Sequence, residues 1–130
     1  MSEPALARLA TVNPRTLQPH VVPVWFEWDA GCLWISAFRS TRKVKDLQKN
    51  LRISVVVDTV EADGKNCAVI FEGACELLTA RDVVEPRSLS IYTRYLGPEG
   101  ALKPDPQSWI HDAENLIICL KPERVYAWSG

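Results

Sequence analysis

His20-Val21-Val22-Pro23-Val24-Trp25-Phe26-Glu27-Trp28 is β-branched and aromatic almost throughout. It runs into the turn Asp29-Ala30-Gly31 and then into a second such stretch, Leu33-Trp34-Ile35-Ser36-Ala37-Phe38. Two runs of this composition around a short Gly-containing turn predict a β-hairpin. Pro23 qualifies the reading: a proline cannot donate to a strand ladder, so it requires a sheet edge, a bulge, or a ligand beside the strand.

Working outward, Ala7 to Val12 reads as a strand, and Val12-Asn13-Pro14 with Leu17-Gln18-Pro19 makes a hairpin connection into the run at His20. Downstream, Ile53 to Asp58 is a further strand, and Ala68 to Leu78 a long one with Gly73 as a bulge or bend. Leu116 to Leu120 follows, with a resumption expected at Val125 to Trp128 after Lys121-Pro122. Helical spacing is confined to short pieces. Ser40 to Asn50 places Val44 and Leu47 on one face behind a Ser40 or Thr41 cap, and Arg81 to Leu96 has a weaker pattern broken near Pro86. Gly97 to Pro106 reads as a loop, and Asp105-Pro106 can open a short helix through Trp109 and Ile110. The sum is a mainly β (α+β) fold, a small antiparallel barrel of about six strands with short peripheral helices.

The chain has 130 residues, 47% hydrophobic and 24% charged, which predicts one ordinary globular domain over residues 1–130. Its net charge of -1 supplies no positive field for nucleic acid or an anionic membrane, so neither partner is expected. The start Met1-Ser2-Glu3-Pro4 has no secretory pattern and no long apolar run follows, so a cytoplasmic protein is expected. Cys32, Cys67, Cys75 and Cys119 form no Cys-x-x-Cys pair, which favours packing over metal or disulfide chemistry.

No Gly-x-Ser-x-Gly elbow, Walker loop or His-Glu-x-x-His helix is present, and His20 and His111 are the only histidines. What stands out is Ser40-Thr41-Arg42-Lys43 at a strand-to-helix junction, where free N–H groups, hydroxyls and cations together suit a phosphate. A solvated helix face would explain the charges equally simply, but cations in a first turn oppose the helix dipole. Trp25, Trp28 and Trp34 lie in one hairpin, with Trp109 and Trp128 farther on; they suit either a stacking platform for a planar ligand or core and interface packing.

The succession His20 to Trp28, Leu33 to Phe38, Ser40 to Leu47 and Asn50 to Asp58 resembles the pyridoxamine 5'-phosphate oxidase-like split barrels, with looser likeness at Phe71-Glu72-Gly73 and Val125-Tyr126-Ala127-Trp128. The resemblance implies a split β-barrel homodimer that binds FMN or, alternatively, the deazaflavin coenzyme F420 at its interface. By position it implies that His20, Val22, Pro23, Val24 and Trp25 lie along the ring, that Ser36 supplies a hydroxyl by the phosphate, and that Thr41, Arg42 and Lys43 grip the phosphate. Members that oxidise pyridoxamine phosphate carry Arg and Lys where this chain has His20 and Trp25, so that substrate is not expected. The implied activity is hydride transfer to or from a small organic substrate. The alternative is a flavin- or haem-binding or sensing protein without turnover.

Overall fold

A computed structural model describes residues 5–129 of the chain. β1 (Ala7–Val12) and β2 (Pro19–Val24) form the first hairpin, and β3 (Phe26–Asp29) and β4 (Cys32–Phe38) form the one read from the sequence. β5 (Arg52–Val60), β6 (Asn66–Leu78), β7 (Asn115–Leu120) and β8 (Arg124–Ser129) complete an antiparallel sheet in the order β2-β1-β5-β6-β7-β4-β3, with β8 on β6. The fold is mainly antiparallel β, as the sequence predicts, but with eight strands among the described residues rather than about six. The run His20–Trp28 is split at Trp25, and the resumption after Lys121-Pro122 is a full strand.

The break at Trp25 turns the sheet into a barrel. β2 and β3 lie at opposite ends of the strand order, yet only Trp25 separates them in the chain, so one bent segment supplies both edges. A bend frees backbone groups that must be satisfied elsewhere. The Tyr95 hydroxyl accepts from the Phe26 N–H at 3.3 Å and donates to the Ala5 carbonyl at 2.9 Å, while Arg94 donates to the Phe26 carbonyl. Pro23, opposite Arg8 in β2, has the edge position that its missing N–H requires.

β6 does the corresponding work on the far side. Its first part lies between β5 and β8, and from Cys75 to Leu78 it pairs with β7. Gly73 is buried at this change of partner, where a Cβ would lie 3.1 Å from the Glu123 nitrogen and from Leu120 Cδ1. The ladder to β5 runs through Gly73 without a bulge, and the crowding at its Cα is the steric reason for a glycine at this point of the strand.

Leu9, Leu33, Ile35, Val55, Ile118 and Leu120 fill the barrel. The helix α1 (Arg42–Leu47) closes it with Val44 and Leu47, both fully buried as their spacing predicts. The buried Asp46 carboxylate accepts from Thr11 Oγ1 at 3.2 Å. On the outer side of β4 and β7, α2 (Arg81–Gly100) and α3 (Pro104–His111) pack Val84, Ile91, Tyr92 and Ile110 around Ile117, with Trp25 and Trp34 at the margin. Because β7 is covered on both faces, it reads as a continuous apolar run.

The expected break near Pro86 does not occur; the helix continues because buried Val84, Ser88 and Ile91 fasten it on both sides of an exposed proline. The non-helical residue is Gly97, at φ 79°, and Pro98 follows it. The expected loop from Gly97 to Pro106 accordingly contains the last turn of α2 and the start of α3. All four cysteines are free thiols: Cys75 is in the barrel core and the others are half-buried.

Candidate cofactor site

A cavity of about 320 Å³ opens where the Trp25 bend meets β4 and the helices α1, α2 and α3. Pro23, Val24 and Trp25 form one wall, Ser36 and Phe38 of β4 another, and Lys43, Tyr92 and Trp109 reach in from the three helices. Leu6 completes the lining. The structure therefore brings together Pro23, Val24, Trp25, Ser36 and Lys43 from the residues singled out in the sequence.

His20, Val22, Thr41 and Arg42 lie outside that lining. Val22 packs on the barrel core, and half-buried His20 sits farther along β2, opposite Thr11. Thr41 holds the N-cap position of α1, but its hydroxyl donates back to the Phe38 carbonyl at 2.7 Å and makes no cap bond. Arg42 is exposed.

Lys43 is the charged group of the cavity. It is half-buried, and burial pushes its ammonium below the usual lysine range. Among the described residues no carboxylate lies within ion-pair distance of it. A partly desolvated cation without a counter-charge is an open position for an anion.

The remaining wall is aromatic. Trp25 stacks on Tyr95 with ring centres 4.8 Å apart and planes 4° from parallel, and it meets Tyr92 edge-on at 5.7 Å. Tyr92 meets Trp109 edge-on at 6.0 Å. The Tyr92 hydroxyl lies 3.2 Å from Ser36 Oγ, and burial, partly offset by that hydroxyl, pushes the phenol above the usual tyrosine range. Sequence reasoning named Trp109 among the tryptophans suited to a stacking platform but did not select Tyr92 or Phe38. The available signal was Tyr92 and Tyr95, three apart on one helical face, but their cavity role depends on how α2 crosses the sheet.

The family model of pyridoxamine 5'-phosphate oxidase matches residues 1–129. The chain belongs to that family. Its fold recurs in an F420 reductase at 24% identity, covering 95% of this chain and 90% of that one with a TM-score of 0.70. It recurs in a FAD-binding protein from Mesorhizobium loti, at 20% identity over 98% of this chain and 87% of the other, TM-score 0.73. HutZ, the haem storage protein from Vibrio cholerae, is similar at 14% identity over 94% and 84% of the two chains, TM-score 0.75. No curated protein matches the sequence. These similar structures bear names of flavin, F420 and haem proteins, and at such identities they speak for the split-barrel fold. Among the described residues no helix is long and apolar enough to cross a membrane, and no three His, Cys, Asp or Glu side chains gather as a metal site.

Proposed function

We propose that this chain is an oxidoreductase using FMN, or alternatively the deazaflavin coenzyme F420, to transfer hydride to or from a small organic molecule. The observation that carries the reading is Lys43, a half-buried ammonium without a carboxylate partner among the described residues, on the wall of an aromatic cavity. That combination fits a planar ring bearing a phosphate tail: Lys43 offers the charge-assisted bond, and Trp25, Tyr92 and Trp109 offer an apolar wall. Bound there, the flavin would supply the redox chemistry, and the protein's part is to hold the phosphate, orient the ring and keep water out. Arg42, exposed one residue before Lys43, remains available to the outer side of a phosphate.

A homodimer is part of the same proposal. Among the described residues β8 pairs only with β6, all six of its residues are exposed, and Val125 and Trp128 each keep 54% of their surface accessible. An edge strand of that composition calls for cover, and a cavity at the low end of ligand-site volumes gains depth from a second subunit.

The test is titration of the purified protein with FMN and with F420, followed by addition of NAD(P)H and an organic acceptor. Micromolar or tighter binding with reduction and reoxidation of the bound cofactor is expected. Binding without either step would favour a storage or sensing protein, and failure to bind either cofactor would refute the reading.

A further inference from the structure

The cavity's two hydroxyls are tied to a side chain that has no surface of its own. Asn115, fully buried on β7, donates through Nδ2 to the Ile110 carbonyl at 3.1 Å and to Ser88 Oγ at 2.9 Å. A backbone carbonyl can only accept, so the amide cannot be turned round, and Oδ1 faces Ser36 Oγ at 3.4 Å. Oδ1 can only accept as well. A Ser36 proton given to Asn115 leaves Tyr92 as the donor and Ser36 as the acceptor at the 3.2 Å contact between the hydroxyls, a contact in which either oxygen has a proton to give. With both protons spent along the chain Tyr92 to Ser36 to Asn115, what remains on the cavity side is lone pairs.

We propose that Asn115 is a positioning residue that sets the direction of the Ser36 and Tyr92 hydroxyls, so that this wall of the cavity accepts hydrogen bonds and takes a donor edge of the ligand, an N–H or O–H group, rather than its phosphate. The inference rests on the flavin reading for the identity of the ligand, but the direction of the hydroxyl chain does not. It divides the cavity by polarity: Lys43 meets the anion, and Ser36 with Tyr92 meets a donor. It also removes Ser36 from the phosphate grip that the family resemblance implies. FMN carries two kinds of neutral donor, the imide N–H of its ring and the hydroxyls of its ribityl chain, and either satisfies this wall.

Two measurements test the proposal. The first needs no ligand: the titration of Tyr92, followed by NMR of tyrosines labelled at Cζ, is compared in the native protein, in Asn115→Ala and in Asn115→Ala with Ser36→Ala. Removing the Asn115 acceptor frees the Ser36 proton to bond the phenolate. The Tyr92 midpoint should then move to lower pH in the single variant, and the move should vanish when Ser36 is also removed. An unchanged midpoint in a folded Asn115→Ala protein would overturn the directed chain. The second uses the unaltered protein, so folding is not at issue: dissociation constants are measured for FMN, for FMN methylated at the imide nitrogen, and for FMN lacking ribityl hydroxyls. A loss of about five-fold or more is expected for one of the two analogues, the scale of one neutral hydrogen bond, and the analogue that loses identifies the donor. Equal affinity for all three would overturn the donor-edge assignment. Failure of FMN itself to bind would count against the flavin reading, leaving the Tyr92 titration to decide the hydroxyl chain separately.

Discussion

Replacing Lys43 by Met should separate what this residue does for the fold from what it does for the ligand. Burial lowers the Lys43 pKa from its ordinary 10.5, so the unfolded chain holds that proton more firmly than the folded one. Stability therefore rises with pH through the folded pKa toward 10.5, and at neutral pH the cost of the desolvated ammonium is fully present. Met keeps an unbranched apolar stem against the cavity wall and removes the charge. The ligand-free variant should accordingly be as stable as the parent or slightly more stable in urea denaturation at pH 7, and the rise in stability toward alkaline pH should flatten. A phosphate reverses the balance. One charge-assisted bond to an anion is worth about 1.5–3 kcal/mol, so FMN affinity should fall by roughly 10- to 150-fold. Riboflavin, which lacks the phosphate, should bind parent and variant alike, and quenching of flavin fluorescence measures both. A variant that loses more than about 1 kcal/mol of ligand-free stability while binding FMN as the parent does would refute the reasoning, because Lys43 would then be a structural cation.

Tyr95→Phe removes the acceptor of the Phe26 N–H and the donor to Ala5 at the bend, and should lower stability by about 1–3 kcal/mol in urea denaturation, the cost of a buried donor left unpaired. Gly73→Ala drives a Cβ to 3.1 Å from backbone at Glu123 and should cost about 1–3 kcal/mol in the same assay; a neutral result would mean that the change of partner in β6 is looser than it looks. Pro23→Val should leave fold stability unchanged or raised, since β2 is an edge strand, yet it should shift the absorbance or reduction potential of a bound flavin; an unchanged spectrum and potential would place the ring elsewhere. Sedimentation should give about twice the 14.6 kDa chain mass, and Trp128→Asp should shift the balance toward monomer; a monomeric parent that still bound FMN at micromolar concentration would contradict the dimer.

Local chemistry was enough to read much of the fold. The hairpin around Asp29-Ala30-Gly31 and the helix behind Thr41 each have their causes within a few residues of themselves. The break at Trp25 does not. Nothing in Val24-Trp25-Phe26 departs from good strand composition, and the break is supported by Tyr95 and Arg94 from a helix some seventy residues away. The site divided in the same way. Pro23 and Lys43 were legible because each conflicts with its local setting, a proline in a strand and a cation in a first turn. Tyr92, Trp109 and Asn115 obey local rules, so their part in the cavity emerges only from the crossing of α2 and α3 over β7.

The segment Pro19 to Asp29 and the strand β6 each serve on both sides of the barrel, so neither side has a boundary at which the chain could be cut into a self-sufficient piece. A fragment ending before β6 would leave β5 without its β6 partner and β4 without β7; one beginning after Trp25 would lack β1 and β2. Cooperativity is thus built into the connectivity. The barrel should form and melt as one unit, with its closure waiting on contacts between distant parts of the chain, and separated fragments should recover structure only when mixed.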